Sequence, residues 1–436
     1  MPSVLTTRRI FETWWPLALS WLFMAVELPT LSAVVARLAD PAVQLAAYGG
    51  VVFPLSLLIE SPIIMLLAAS TALSHDRRGY DRLRHFMWRA SAVLTLIHVV
   101  VAFSPVFDWI ADGLLNMPRE VLEPARVGLR IMTPWTGAIA YRRFNQGALI
   151  RFGQSRAVGT GTAVRLASHV STLCLLFAAG APGIVVATSA MTVGVLAEAT
   201  YIGVRVRPLV RERMPDVSGA APLHGRAFLA FYVPLALTPL LELLAEPIGA
   251  AAMARMPHAL ESLGAWPAVF GIVWVPMSVG IAFQEVVVAL SAEPGAERSL
   301  RRFAIGLAVV TGAPLMIMAA TPLADLWYRY VAGLPPQLAE LARTALWIAP
   351  PLPVLVVGHS WLQGQLVHAR RTHAIPEALA LFLGVATALA VCGVYSARWP
   401  GLHVALAALV AGAAAQFGWL VWRSRDTAVP ESTTGC

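Results

Sequence analysis

From Trp14 to Leu38 the chain reads WWPLALSWLFMAVELPTLSAVVARL, an apolar run of 25 residues broken by one acid, Glu27. A helix needs about 20 apolar residues to cross the hydrocarbon core of a bilayer, so this run predicts a transmembrane span. Pro16 and Pro29 remove backbone donors within it and predict kinks, which membrane helices tolerate where neighbours cover the freed carbonyls. Reading every apolar run against turn and charge signals predicts twelve spans. Their cores lie near 13–37, 45–72, 89–107, 129–150, 157–179, 183–204, 229–254, 263–291, 303–321, 343–367, 374–396 and 401–422. The expected fold class is therefore an all-α membrane protein.

The pattern repeats. At an offset of 218, Tyr232 to Met256 reads YVPLALTPLLELLAEPIGAAAMARM, which places Pro16 on Pro234, Pro29 on Pro247 and Arg37 on Arg255. At an offset of 217, Leu83, Arg84 and Phe86 fall on Leu300, Arg301 and Phe303, and Gln146-Gly147 falls on Gln363-Gly364. Each unit holds six spans, an even number, so both enter the membrane in the same orientation. Two parallel six-helix repeats, with cargo held between them near the midplane, are a recurrent transporter plan. The Pro- and Gly-containing stretch 205–226 is the natural linker between a lobe at 1–204 and a lobe at 227–425. The polar tail 426–436 reads as disordered.

Composition confirms the solvent and removes one class of partner. Hydrophobic residues make up 58% of the chain and charged residues 13%. The net charge of +8 would suit nucleic acid, but its distribution follows the spans instead. With both termini inside, 21 arginines fall on the cytoplasmic side and eight outside, and the chain has no lysine. That is the positive-inside bias, so no nucleic-acid partner is expected. A bacterial inner membrane is the expected location, with lipid as the surrounding partner. Cys174, Cys392 and Cys436 show no metal or redox spacing. No nucleotide loop, Ser-His-Asp arrangement or metal cluster stands out, so neither cofactor nor enzyme activity is expected.

After the third span, Pro118, Val121, Ala125 and Leu129 show a Pro-x-x-apolar-x-x-x-Ala-x-x-x-Leu rhythm, and Pro335, Leu338, Ala342 and Leu346 repeat it after the ninth. This rhythm resembles the multidrug and toxic-compound extrusion (MATE) group, within the multidrug/oligosaccharidyl-lipid/polysaccharide (MOP) exporter superfamily. The PLAL openings, ESPIIMLLAASTAL at 60–73 and RFGQSRAVGTGTAVRL at 151–166 fit the same superfamily. Among its branches the chain resembles the progressive ankylosis family, through its PLAL and Tyr48-Gly49 positions. The resemblance implies a V-shaped pair of lobes that alternate between inward- and outward-open states, and the ankylosis branch implies export of organic or phosphate-bearing anions. DRRGYDR at 76–82 is similar to a loop signature of the major facilitator superfamily. Ala72 stands where that signature has Gly, however, and the matching loop at 293–302 lacks it.

An ionised group at the bilayer centre costs about 3 kcal/mol on insertion scales, so each one needs a reason. Glu27, Glu60, Glu242 and Glu246 are candidates for binding a coupling proton or Na+. Glu242 and Glu246 stand four apart on one helix face, where two carboxylates resist ionising together. Glu198 and Glu285 lie nearer span ends and read as structural. The fourth span carries YRRFNQG, with Arg142 and Asn145 on one face and Arg143 and Gln146 about 100° round the helix. Two adjacent arginines at that depth cannot both snorkel. At least one points into a wet interior, where guanidinium suits carboxylate or phosphate, or else pairs with an intramembrane Glu. The repeat-related stretch, GHSWLQG, adds His359 and Gln363 to the candidate substrate contacts. GTGTAVR at 159–165 reads as small-residue helix packing.

The expectation is a secondary exporter working by alternating access, driven by an ion gradient and carrying a small anion. MATE-like efflux of organic cations through the acids, a lipid-linked sugar flippase and a channel are the rival functions. The arginine count also predicts that Gly79 faces the cytoplasm and Gly333 the exterior. With the native cysteines removed, a membrane-impermeant maleimide applied to intact cells should label Gly333→Cys and spare Gly79→Cys; the opposite pattern inverts the topology.

Overall fold

The computed structural model describes residues 5–216, 225–369, 371 and 373–425. The expected tail 426–436 and residues 217–224 of the expected linker lie outside them. The described residues are helical, with no strand among them. The N-terminal half forms α1 (Thr7–Val35), α2 (Pro41–Leu73), α3 (Arg77–Phe103), α4 (Arg119–Ile131), α5 (Thr133–Arg151), α6 (Ser155–Ala178) and α7 (Gly183–Arg213). The C-terminal half forms α8 (Gly225–Met253), α9 (Ala259–Leu290), α10 (Ala296–Ala320), α11 (Pro336–Leu346), α12 (Pro351–His368), α13 (Ala374–Ser396) and α14 (Gly401–Arg425). Each helix thus has its repeat mate seven places on.

Twelve of these are long, but ten, not the expected twelve, are by themselves long and apolar enough to cross a membrane, and α11 with α12 taken as one bent span makes eleven. The two that fall short, α5 and α12, are repeat mates. Polar residues explain both: α5 holds Arg142, Arg143, Asn145 and Gln146, and α12 holds His359, Ser360, Gln363 and Gln365. The short helices α4 and α11 carry the Pro-x-x-apolar rhythm, and α11 meets α12 at a bend of 50°. Val121, Ala125 and Leu129, like Leu338, Ala342 and Leu346, form buried stripes at helical spacing, while Pro118 and Pro335 precede the first turns.

Backbone chemistry places the same breaks in both halves. α1 is interrupted after Ala25 and α8 after Leu243. Pro29 and Pro247 stand four residues later, so they cannot donate to those two carbonyls. A second pair of breaks, at Met65 in α2 and Ala282 in α9, is separated by the repeat offset of 217. Pro62 leaves the Leu58 carbonyl without its helical donor, and Ser61 Oγ donates to it at 2.8 Å.

Hydrogen bonds define two ends of the bundle. At one, here the linker end, Leu5 N donates to Pro294 O at 3.1 Å and Arg77 N to Pro215 O at 2.9 Å. At the far end, Gly401 N donates to Pro257 O at 3.3 Å. Near the linker end the opening helices cross between halves. Trp14 of α1 donates to Val279 O at 3.2 Å, and Tyr232 of α8 donates to Pro62 O at 2.7 Å.

The polar helices are held by close backbone approach. A methyl group on Gly147 of α5 would stand 2.6 Å from Ser70 Cβ of α2, and one on Gly364 of α12 would stand 2.6 Å from Val287 Cβ of α9. Gly147→Ala and Gly364→Ala should therefore each cost about 1–3 kcal/mol through overpacking. The measurement is thermal unfolding of the purified protein in detergent. Gly159→Ala, with open space around it, should leave the transition in place or raise it slightly.

Candidate functional site

The charged interior belongs to the N-terminal half. Three carboxylates, Glu27, Glu60 and Glu198, are each 3% exposed or less. Three arginines, Arg142, Arg143 and Arg165, lie among the same helices. Burying such groups is tolerable only if they neutralise one another, and four of the six do so in pairs.

The first pair joins α5 to α7. Arg142 Nη1 donates to Glu198 Oε2 at 2.6 Å, and Gln146 Nε2 donates to Glu198 Oε1 at 2.9 Å. Arg142 and Gln146 stand four apart, one turn along α5, so both reach a single carboxylate. The second pair joins α1 to α6: Arg165 Nη2 donates to Glu27 Oε2 at 2.5 Å. Glu27 opens the helical segment after the Pro29 break, so the interruption of α1 and its buried charge are adjacent. Trp135 of α5 connects this pair to the third acid. Its indole N–H donates to Glu60, and its ring lies 6.0 Å from the Arg165 guanidinium.

Arg143 and Glu60 are what is left. Among the described residues no ion pair reaches either of them. Arg143 is half-buried, whereas Arg142 is 3% exposed, and the Arg143 Nε has no hydrogen-bond partner. Asn145 is engaged elsewhere: it accepts from Tyr80 Oη at 2.8 Å, and its amide donates to Tyr141 O at 2.9 Å.

The C-terminal half repeats the backbone without the buried ion pairs. His359, on the repeat position of Arg142, donates from Nε2 to Ala413 O at 2.9 Å, and Gln363 is half-buried. Glu242 is exposed, while Glu246, beyond the α8 break, lines an apolar cavity with Trp266, Thr387 and Leu409. Among the described residues no cluster of three or more His, Cys, Asp or Glu could hold a metal ion.

The structure thus unites Glu27, Glu60, Arg142, Arg143, Asn145 and Gln146 in one interior and leaves Glu242, Glu246, His359 and Gln363 in the other half. Sequence reasoning passed over Arg165, hidden in a small-residue stretch, and Trp135. The expected place of Glu198 near a span end is corrected as well. The helix in fact runs on to Arg213, and Glu198 is fully buried where it meets Arg142.

No protein-family model matches the chain, and no curated protein matches it. Solved structures do. The inward-facing conformation of a multidrug resistance MATE family transporter of the MOP superfamily aligns at a TM-score of 0.74 and 16% identity, over 94% of this chain and 95% of that one. The outward-facing conformation of such a transporter aligns at 0.63 and 16% identity, over 98% and 97%. A MOP superfamily transporter from Pyrococcus furiosus, described as having a binding pocket of reverse polarity that suggests a different function, aligns at 0.63 and 16% identity over 97% of each chain. The fold is that of the MATE transporters.

The pairing predicts a sharp contrast in stability. Arg142→Gln and Glu198→Gln each strand a buried charge and should cost about 3–5 kcal/mol. Arg143→Gln breaks no ion pair, although it takes one cation away from the buried Glu60, and should cost less than either of them, about 1–2 kcal/mol. Denaturant or thermal unfolding of the three variants in one detergent makes the comparison.

Proposed function

We propose that the chain is a secondary transporter that moves a small carboxylate- or phosphate-bearing anion by alternating access, with Arg143 as the cation that holds it. One observation carries this reading. Arg143 is half-buried in a membrane-depth interior and has no ion-pair partner among the described residues, while the arginine beside it is matched. A guanidinium so placed offers a planar fork of donors where little water competes, and charge-assisted bonds to an oxyanion fit it. The fold shared with transporters seen facing inward and outward supports alternating access.

Export follows from orientation and charge. With the arginine-rich linker end inside, a negative-inside membrane potential favours outward movement of an anion by about 2.3 kcal/mol per charge per 100 mV. Glu60 gives the site its coupling chemistry. Glu27 and Glu198 are neutralised by their own arginines, so Glu60 is the carboxylate left to balance Arg143. A proton or Na+ on Glu60 removes that balance and strengthens anion binding, but carried outward with the cargo it would cancel one negative charge, so the potential drives export of a dianion, or of a monoanion that leaves with Glu60 ionised. A coupling ion exchanged against the cargo belongs further away, and Glu246 is the candidate for it.

A second reading rests on Glu246. A lone carboxylate in an apolar cavity with an indole beside it suits an organic cation. Equilibrium binding to the purified protein separates the two, with succinate and inorganic phosphate as anionic probes and tetraphenylphosphonium as the cationic one. The anion reading expects succinate or phosphate binding that weakens about tenfold or more in Arg143→Gln, less in Arg143→Lys, and not in Glu246→Gln. Binding of tetraphenylphosphonium alone, lost in Glu246→Gln and untouched in Arg143→Gln, replaces it with the cation reading.

A further inference from the structure

Arg37 and Arg255 occupy the same repeat position, just beyond the opening helix of each half. At the far end each reaches into the opposite half. Arg37 Nη2 donates to Tyr330 O at 2.7 Å and Val331 O at 2.8 Å, and its Nη1 donates to Ala332 O at 3.2 Å. Arg255 Nη2 donates to Leu114 O at 2.6 Å and its Nη1 to Leu115 O at 2.9 Å. The acceptors are themselves repeat-related: Leu114 and Leu115 correspond to Val331 and Ala332. Each guanidinium is also tied to its own helix, Arg37 to Ala33 O at 2.5 Å and Arg255 to Ala251 O at 2.7 Å.

The acceptor carbonyls end two wide helical turns, Trp109–Leu114 and Leu326–Val331. Carbonyls at a helix end lack helical donors and carry partial negative charge, which a guanidinium satisfies. Immediately after them the chain turns away with a positive φ, 57° at Asn116 and 68° at Gly333. At Gly333 an added side chain would meet the positive φ and also press on the guanidinium, because a Cβ there would stand 2.8 Å from Arg37 Cζ, the movable end of that side chain.

We propose that Arg37 and Arg255 form a reciprocal latch that holds the far ends of the two halves together and biases the transport cycle toward the state closed on that side. Two features separate it from ordinary surface capping. Every one of these carbonyl acceptors beyond the arginine's own helix lies in the other half, so parting the halves at this end breaks all of the cross-half bonds at once. The arrangement is also made twice, from corresponding residues, as a device acting across a two-fold relation between halves requires. The proposal rests on the alternating-access reading, and its test is built to fail separately from that reading.

Spin labels at Trp109→Cys and Trp399→Cys, both exposed and one in each half, report the far-end separation by electron–electron distance measurement. Labels at Arg78→Cys and Arg298→Cys report the linker end. All are made with Cys174, Cys392 and Cys436 replaced by alanine. Arg37→Gln with Arg255→Gln should raise the long-distance far-end population at least about tenfold, because charge-assisted bonds are lost from one state only. Gly333→Ala should shift it the same way, since the added methyl displaces Arg37. Gly153→Ala carries the same positive-φ strain with nothing within 4 Å of the new methyl, and should leave the distances unchanged. A double variant that remains monodisperse and keeps the parent far-end distribution overturns the latch. So does a Gly153→Ala response equal to that of Gly333→Ala. If the far end opens while the linker-end distance stays fixed, the latch stands and alternating access falls.

Discussion

A guanidinium inside a bilayer has no water to carry its charge, and three of them lie within the N-terminal half. Most of the arrangement of that half answers to this constraint. Glu198 on α7 must face Arg142 on α5, and Glu27 on α1 must face Arg165 on α6, because a buried ion without its counter-ion costs more than the pair gains. Four helices are thereby fixed in rotation about their own axes. Trp135 then joins the second pair to Glu60 with one polar atom and one ring face. Arg143 is set apart because Glu27 and Glu198 are already ion-paired with other arginines.

The two halves show which parts of a duplicated chain are backbone and which are chemistry. The breaks after Ala25 and Leu243, the breaks at Met65 and Ala282, and the tight approaches at Gly147 and Gly364 recur at the repeat offset. Proline and glycine act through what they lack, so they write the same bends wherever they stand. The interior side chains do not recur. Arg142 becomes His359 bound to a carbonyl, and the three paired or balanced acids of the first half have no counterpart at their repeat positions. One half carries buried ion pairs, and the other a neutral polar wall beside an apolar cavity that holds the single carboxylate of Glu246.

Much of the fold was legible because hydrophobicity and proline act locally. The apolar runs, the repeat and the buried stripes on α4 and α11 can be read from spacing, whereas the expected linker 205–226 begins inside α7, which continues to Arg213. The candidate interior was only partly legible. Arg142 and Arg143 stand out because two adjacent charges interrupt an apolar helix. Arg165 does not, since a single arginine after Gly159, Thr160, Gly161 and Thr162 resembles a packing seam ending at an interface. Glu198 was misplaced because the apolar run fades near residue 204 while the helix continues to Arg213. A rule that every lone charge within an apolar window must have a partner in another such window would have found both. Which acid meets which arginine depends on helix rotation and on contacts more than a hundred residues apart in one case. Glu27 and Arg165 are that case, and no local signal encodes it.

The weak apolarity of α5 also bears on how the chain enters the membrane during synthesis. Left to itself, α5 offers the lipid two adjacent arginines, an asparagine and a glutamine. Glu198, the counter-ion of Arg142, is more than fifty residues further along the chain and reaches the insertion machinery well after α5 does. α5 therefore lacks the counter-ion of Arg142 until α7 supplies it. The charges of the N-terminal half are matched only when its last helix supplies the counter-ion that an earlier one has been missing.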